Sequence, residues 1–239
     1  MTHRRDLRPR LLLAPSATAA AMTLLTASPA HAAVLWDGNA DKGTGVFAAI
    51  LCPGGVARVK NWGEGHGNFF EFHKPAGVDR CEGHSMAGAE GHLADNKTLW
   101  FGWSLATKTG TAQAVFQWKS NGTNDQHQQN YPVLLFVENG RFKVWYVAPG
   151  EQWHLIGTAA WSADSWHKIE LGLTTRSDDT GSIQVYKDGS LIASRTGVRT
   201  WDDRGNKPRW GTYRGGWTEV SSQVWVDDPK MGTSRADVD

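Results

Sequence analysis

Val115-Phe116-Gln117-Trp118-Lys119-Ser120 has the alternating pattern that predicts a β-strand with two different faces. Side chains alternate across a strand, so Phe116 and Trp118 enter one face while Gln117 and Lys119 share the other. An apolar face beside a polar face is typical of an antiparallel sheet that packs on a core with one side only. The polar pair is an amide and an ammonium group, which together can hold a carboxylate.

Two other stretches show the same division between an apolar and a polar face. Residues 79–84 and 208–214 each place a cysteine or a tryptophan on one face and polar groups on the other. The side chains on these polar faces are Arg80, Glu82, His84, Arg209 and Tyr213. We therefore predict that three strands line one concave sheet whose surface binds an acidic chain.

The remainder of the chain after residue 32 also predicts strands and turns. Segments rich in Val, Ile, Phe, Trp and Thr alternate with Gly, Asn, Asp and Pro, and no stretch over about ten residues has helical periodicity. The predicted strands are 56–62, 69–73, 79–86, 98–106, 113–119, 132–138, 141–147, 152–157, 166–174, 181–187, 190–195, 208–214 and 223–231.

Two of the connections between these strands have the sequence of tight hairpins. Asn139-Gly140 and Asp188-Gly189 supply the positive φ angles of a type I′ turn. Many short strands joined by such turns predict an all-β fold. We expect a two-sheet antiparallel β-jelly-roll sandwich, concanavalin-like, with a concave substrate cleft.

Residues 1–32 have the composition of a cleaved secretion signal. Four arginines precede an apolar, alanine-rich run from Leu11 to Thr26, and Ala30-His31-Ala32 matches an A-x-A cleavage site. The run His3-Arg4-Arg5-Asp6-Leu7 resembles a twin-arginine signal, with a plain Sec signal as the alternative. We therefore predict a secreted protein with a bacterial-type signal, no membrane anchor, and a single domain over 33–239.

The charge of the chain argues against a nucleic-acid partner. It has 25 Lys and Arg against 24 Asp and Glu, and the signal contains four of the Arg and one of the Asp, so the net charge of the rest is −2 with His neutral. Such a chain has no global basic field, and an anionic ligand needs a local basic cleft instead. We expect a monomer.

The two cysteines, Cys52 and Cys81, suit an exported protein. An oxidising compartment favours a disulfide between them, and two buried free thiols are the alternative. The bridge would close a loop of about 29 residues and contribute ~3–4 kcal/mol on the chain-entropy account.

The polar strand motifs resemble those of a known enzyme class. Arg80-Cys81-Glu82 resembles the R-x-E strand of jelly-roll polysaccharide lyases, Gln117-Trp118-Lys119 their Q-x-H strand, and residues 207–215 their K-x-G-x-Y segment. The order is similar to that in the alginate-lyase, heparin-lyase-I-like and glucuronan-lyase families, and the segment 210–215 is most similar to the glucuronan lyases. The resemblance covers most of the chain after the signal.

The resemblance implies a lyase that cleaves an anionic polyuronate by β-elimination and leaves C4–C5 unsaturated uronate ends. The first substrate expected is β-1,4-glucuronan, and no cofactor is required for catalysis. The implied catalytic residues are Tyr213, Gln117, Arg80 and His84. The candidate substrate-binding residues are Lys119, Glu82 and Arg209 within these motifs, together with Lys143 and Trp145, which alternation places on the polar face of their strand.

These residue types suit the chemistry of β-elimination. The C5 proton of a uronate is very weakly acidic, and charge accumulates on the neighbouring carboxylate as the proton leaves, so donors such as Arg80 and Gln117 stabilise the transition state. In glucuronate and mannuronate the C5 hydrogen and C4 oxygen lie on one face of the ring, so a single tyrosine can serve both. Tyr213 would then need its pKa lowered by nearby Arg or Lys.

The chain departs from the alginate-lyase pattern at one position, where Lys119 replaces the histidine of Q-x-H. Either His84 supplies the base instead, or Tyr213 transfers the proton alone. Trp145 alternates with Lys143 away from the apolar face of its strand, which makes it a candidate cleft tryptophan. Core or rim packing is the alternative for Trp145.

Asp41 and Asp228 are candidate ligands of a structural calcium ion, provided that the two ends of the chain meet. A solvated acidic edge is the alternative. Two other functions remain open: a non-catalytic carbohydrate-binding module, and a sandwich-fold glycoside hydrolase. The hydrolase needs two carboxylates at a defined separation, and the usual E-x-D-x-x-E strand is absent.

Overall fold

The structure, a computed structural model, describes residues 33–61, 67–108, 112–122, 129–214 and 219–239. The predicted secretion signal, residues 1–32, lies outside the described residues. Fifteen strands account for most of the described chain, and its helices are all single 3₁₀ turns, at Ala40–Lys42, Thr44–Val46, Glu90–His92 and Arg235–Asp237. No helix in the described part is long and apolar enough to cross a membrane.

The strands run as follows: β1 Val34–Asp37, β2 Ala49–Leu51, β3 Val56–Asn61, β4 Asn68–Lys74, β5 Arg80–His84, β6 Lys97–Lys108, β7 Gln113–Ser120, β8 Val133–Glu138, β9 Arg141–Ala148, β10 Gln152–Ala160, β11 His167–Thr175, β12 Gly181–Lys187, β13 Ser190–Val198, β14 Asn206–Tyr213 and β15 Ser222–Gly232. The predicted strands match these closely. β1 and β2 were not expected from the sequence.

All strand pairs are antiparallel, and the order is β2-β5-β14-β7-β8-β9-β10-β13-β12-β11-β6-β15-β4-β3, with β1 on β15. The link between β10 and β13 is a single pair, Gly157 and Ala193, and there the sheet turns back on itself. One layer therefore runs from β2 to β10, and the other from β13 to β3. This arrangement confirms the predicted jelly-roll sandwich.

Aromatic side chains fill the space between the two layers. Trp210 of β14 is fully buried and contacts Phe101 and Trp103 of β6, with ring centroids 6.3 Å apart in both cases. Phe116 of β7 stacks on Trp103 at 4.9 Å. Because these residues hold the apolar faces of β7 and β14 inside, the polar faces of the same strands point outward to the concave surface.

Both predicted hairpins are present. Asn139 and Gly140 have φ angles of 51° and 67°, and Asp188 and Gly189 have 49° and 76°. Two consecutive residues with positive φ are the mark of a type I′ turn, whose twist matches that of the flanking strands. The Asn139-Gly140 turn fixes the register of β8 against β9, and β9 carries the predicted cleft residues Lys143 and Trp145.

Candidate active site

The register of three neighbouring strands brings the candidate catalytic residues together. β14 lies between β5 and β7. Arg209 of β14 is opposite His84 on one side and Gln117 on the other, and Tyr213 is opposite Arg80. The three polar faces recognised in the sequence therefore form one continuous surface on the concave side of the sheet.

Glu82 is the buried centre of this surface, with only 2% of its area exposed. One carboxylate oxygen accepts a hydrogen bond from Nε2 of Gln117, and the other lies 3.3 Å from Nε2 of His84 and 3.7 Å from Nη1 of Arg80. Glu82 was expected to bind substrate. Both of its oxygens lie against protein donors, and a contact of Glu82 with substrate stays a prediction.

His84 is held in one orientation by this carboxylate. Burial lowers the pKa of His84, Glu82 partly offsets the effect, and the positive charges of Arg209 and Lys207 lower it further. The imidazole is therefore neutral near pH 7. Since an ionised carboxylate only accepts hydrogen bonds, Nε2 carries the proton and the lone pair of Nδ1 is left available as a base.

Tyr213 lies against the guanidinium of Arg80, whose Cζ is 4.7 Å from the centre of the phenol ring. Arg80 is in turn fixed by Asp79, with Nη2 and Nε 2.7 and 3.1 Å from one carboxylate oxygen. We expected the cations to lower the pKa of Tyr213. Burial has the larger effect and raises it, against the opposing influence of Arg80 and Arg209. The phenol of the free protein is therefore protonated.

Three cations lie at the other end of the same strands. Lys119 and Lys207 are directly opposite each other on β7 and β14, and Arg209 is two residues farther along. Nζ of Lys119 donates to the backbone oxygens of Ser120 and Gly122, at 3.1 and 3.2 Å. Burial, reinforced by nearby arginines, lowers the pKa of Lys119 to about 8.

Trp145 lies in the row of residues that crosses the sheet through Arg209 and Gln117. Gln117 is opposite Leu134 on β8, and Leu134 is opposite Trp145 on β9. Trp145 also packs edge-on against Trp153 of β10, with ring centroids 5.8 Å apart. A groove of about 310 Å³ is lined here by Leu134, Phe136, Glu138, Trp145, Trp153 and Arg214.

A model of the polysaccharide lyase family matches residues 36–230. The chain belongs to the polysaccharide lyase family. The assignment confirms the predicted enzyme class over the hydrolase and carbohydrate-binding alternatives. A search of curated protein sequences finds no match to this lyase.

Solved structures with the same fold include three other lyases. An endo-β-1,4-glucuronan lyase from the fungus Trichoderma reesei has a TM-score of 0.65 and 19% identity, over 81% of this chain and 93% of that one. An alginate lyase from Aplysia kurodai has 0.59 and 11%, over 84% and 100%. An alginate lyase from Chlorella virus has 0.57 and 12%, over 80% and 94%. These similarities confirm the fold.

The predicted disulfide is present in this lyase and borders the site. Cys52 and Cys81 are bonded, and Cys81 lies between Arg80 and Glu82 on β5. The neighbouring strand approaches β5 closely at Gly211, where a Cβ atom would stand 2.3 Å from the backbone oxygen of Cys81. Gly211 also has a φ of +133°, so both the close approach of the strands and the backbone conformation require glycine at this position.

Three residues near the site were not singled out from the sequence. Lys207 faces Lys119, and Trp153 is 45% exposed beside Trp145. Tyr131 contacts Trp153 at 5.3 Å and is close enough to Tyr213 for the two phenols to affect each other electrostatically; burial is the main cause that raises its pKa to about 12. Tyr131 lies in a loop before β8, where alternation gives no face, and the significance of Lys207 and Trp153 depends on neighbours on other strands.

Lys143 has a different environment from the one expected. Its Nζ lies 2.6 Å from a carboxylate oxygen of Glu138 on the adjacent strand. The pair shares the concave face with the candidate substrate-binding residues, but the charge of Lys143 is already compensated. A direct contact with an anionic substrate would have to compete with this ion pair.

The candidate calcium ligands lie where the two ends of this lyase meet, because β1 pairs with β15. Asp41 and Asp228 both raise the pKa of the buried Asp227, although burial itself is the largest cause of its rise to about 6. Oδ1 of Asp41 accepts a hydrogen bond from Asn68 at 2.7 Å. Within the described residues, no group of three or more His, Cys, Asp or Glu is placed to hold a metal. The calcium site stays a prediction.

Proposed function

We propose that this protein is a secreted polyuronate lyase that cleaves β-1,4-glucuronan by β-elimination. The observation that carries the proposal is the buried Glu82 carboxylate, which holds Gln117 and His84 beside Arg209 on one concave surface. A neutral base, a carboxylate-binding amide and arginine, and a protonated phenol are the four groups that this elimination needs.

The uronate carboxylate of the reacting sugar is proposed to lie against Arg209, Arg80 and the second N–H of Gln117. Arg209 lies directly opposite Gln117 on β7 and His84 on β5, so its guanidinium stands beside the amide that faces the same carboxylate. Negative charge grows on this carboxylate as the C5 proton leaves. Donors already in place stabilise that charge without reorganisation, which lowers the barrier to proton removal.

His84 is proposed to take the C5 proton through Nδ1, and Tyr213 to protonate the departing C4 oxygen. The ionisation states of the free protein match these roles, since the imidazole is neutral and the phenol protonated. Both side chains rise from one sheet and so approach the same face of a sugar lying on it. Glucuronate and mannuronate have the reacting hydrogen and oxygen on one face, whereas guluronate does not.

The choice of glucuronan over alginate draws support from the comparison structures. The Trichoderma reesei protein is described as an endo-β-1,4-glucuronan lyase, and its TM-score of 0.65 exceeds those of the two alginate lyases. Secretion is supported by the Cys52–Cys81 disulfide, which forms in an oxidising compartment. The signal-like composition of residues 1–32 points the same way.

Ultraviolet absorbance tests the proposal, because the C4–C5 double bond conjugated to the carboxylate absorbs where the substrate does not. The protein is mixed with glucuronan, mannuronate-rich alginate and guluronate-rich alginate. We expect product on glucuronan, its loss in Tyr213→Phe and His84→Ala, and retention of activity in Glu170→Gln on the opposite layer. Product on guluronate-rich alginate alone would overturn the one-face mechanism, and no product on any of the three would reject the proposed function.

A further inference from the structure

Lys207 and Lys119 are an unusual pair because two like charges are directly opposite each other on adjacent strands. Facing residues in antiparallel strands have Cβ atoms only ~5 Å apart, and like charges at that separation destabilise the sheet. Both side chains are partly buried, and burial together with Arg209 lowers the pKa of each. The fold therefore bears an electrostatic cost at this point.

Nothing in the described part of the chain compensates the pair with a carboxylate contact. Nζ of Lys119 binds only backbone oxygens, and Lys207 has no hydrogen bond or ion pair among the described residues. The negative charge of Asp202 raises the pKa of Lys119, but burial and the nearby arginines have larger, opposite effects. Lys143 on the same concave face differs from this pair, because its Nζ lies 2.6 Å from a carboxylate oxygen of Glu138.

An open cavity adjoins the lysine pair on the side away from Glu82. It has a volume of about 420 Å³, and Lys207, Asn121, Trp201 and Arg204 are among the residues that line it. The backbone contacts of Lys119 with Ser120 and Gly122 draw its ammonium group toward the same loop. The cavity thus offers a sugar ring the indole of Trp201 and several donors beside the ammonium group of Lys207, and the carboxylate of Glu90 lines it as well.

Lys119 was expected to add charge at the reacting carboxylate. It lies two residues beyond Gln117 on β7, on the side toward the cavity. Arg209 is the residue opposite Gln117, whereas Lys119 and Lys207 form the next row toward the cavity. Two residues along a strand span ~6.8 Å, which separates the two rows by about the length of a sugar ring. This spacing allows the reacting carboxylate and the lysine pair to face neighbouring sugars of one chain.

We propose that Lys207 and Lys119 form a second anion-binding subsite, which takes the carboxylate of the uronate next to the reacting one. The inference rests on the proposed function and deepens it: the protein requires two consecutive uronates, and a neutral sugar in the second position is a poor substrate. Lys207 is a specificity-determining residue that makes no contact with the reacting atoms.

The test combines variants of Lys207 with two polymers, glucuronan and glucuronan with about half of its carboxyl groups reduced to alcohols. Lys207→Met is expected to raise KM on glucuronan about tenfold, the size of a lost charge-assisted contact, with kcat changed less than about twofold. On the reduced polymer the same variant should raise KM much less. Lys207→Arg should restore the wild-type KM, and Lys97→Met, an exposed charge on the other layer, should leave it unchanged.

An unchanged KM in Lys207→Met, or an equal rise on both polymers, would overturn the inference while leaving the lyase activity in place. Wild-type protein that forms no product on glucuronan would instead reject the proposed function. Affinity electrophoresis decides the inference without turnover, with each mobility expressed relative to a gel without polymer. Glucuronan should retard Lys207→Met less than the wild type and less than Lys97→Met, which has lost the same charge; equal retardation of the three proteins would overturn the inference.

Discussion

Glu82→Gln is the substitution that most directly tests how the site is organised. The carboxylate is 2% exposed, and both of its oxygens contact donors, one from Gln117 and one from His84. Glutamine keeps the shape but replaces one acceptor oxygen with an NH₂ group. That NH₂ must face either the amide of Gln117 or Nε2–H of His84, so at least one of the two hydrogen bonds is lost.

The size of the effect follows from the charge on the acceptor. Hydrogen bonds to charged groups are worth ~1.5–3 kcal/mol each, and one lost bond with one weakened bond costs the active arrangement ~3 kcal/mol. Each 1.36 kcal/mol is a factor of ten in rate, so kcat should fall ~100-fold. Removal of the buried negative charge also lowers the pKa of His84 further, because Glu82 is the group that raises it.

The assay is the initial rate of ultraviolet absorbance on glucuronan, with the thermal unfolding midpoint measured alongside. Glu170→Gln is a matched control, because Glu170 is equally buried and forms two hydrogen bonds with Arg235, at 2.8 and 2.7 Å, on the other layer. We expect Glu170→Gln to lose stability and keep its kcat. A Glu82→Gln protein with kcat within threefold of the wild type would refute the positioning role.

Three further predictions follow from the same geometry. The pKa of Lys119 is about 8, so its positive charge is lost as pH rises through that value; KM for the anionic polymer should rise above pH 8, and Lys119→Arg, which stays charged, should abolish the rise. Replacing Cys52 and Cys81 together by serine should cost ~3–4 kcal/mol and lower the unfolding midpoint by ~10 °C in calorimetry. Trp145→Ala should raise KM several-fold with little change in kcat; a tenfold fall in kcat would instead place the indole at the reacting sugar.

Much of the fold could be predicted because local pattern and global structure agree along this chain. Alternation in the stretch 115–120 identified the buried and exposed sides of β7, and Asn139-Gly140 identified a hairpin that is present with the expected φ angles. β1 and β2 escaped prediction for a physical reason. They are only four and three residues long, too short for alternation to be distinguished from loop sequence.

The site could be predicted only in part, since alternation tells which face a residue occupies but not which residues are opposite each other. The faces of Arg80, Gln117 and Tyr213 were inferred correctly, while the order β5-β14-β7 was supplied by the structure. Lys207 was overlooked because its importance depends on Lys119 being directly across from it. The contacts of Glu82 with Gln117 and His84 could not be predicted, because burial on the polar face of a strand is not visible in a sequence.

The direction of the Tyr213 pKa was predicted wrongly, and the reason bears on the mechanism. Proximity to arginine was treated as the deciding influence, but a phenol that is pressed against Arg80 is also removed from water, and burial outweighs the attraction of the cations. A tyrosine that stays protonated suits the role of acid. Burial is also the largest cause that lowers the pKa of His84, so one physical effect favours the neutral form of both side chains.

The distribution of charge explains how a chain without net positive charge can hold a polyanion. One buried carboxylate, Glu82, organises the surface, and Arg80, Arg209, Lys119 and Lys207 surround it on three adjacent strands. The cleft therefore has a local positive surplus, although residues 33–239 together have a net charge of −2 with His neutral. Field lines concentrate in such a cleft, so the proposed anionic substrate would be attracted to β5, β7 and β14 and not to the surface in general.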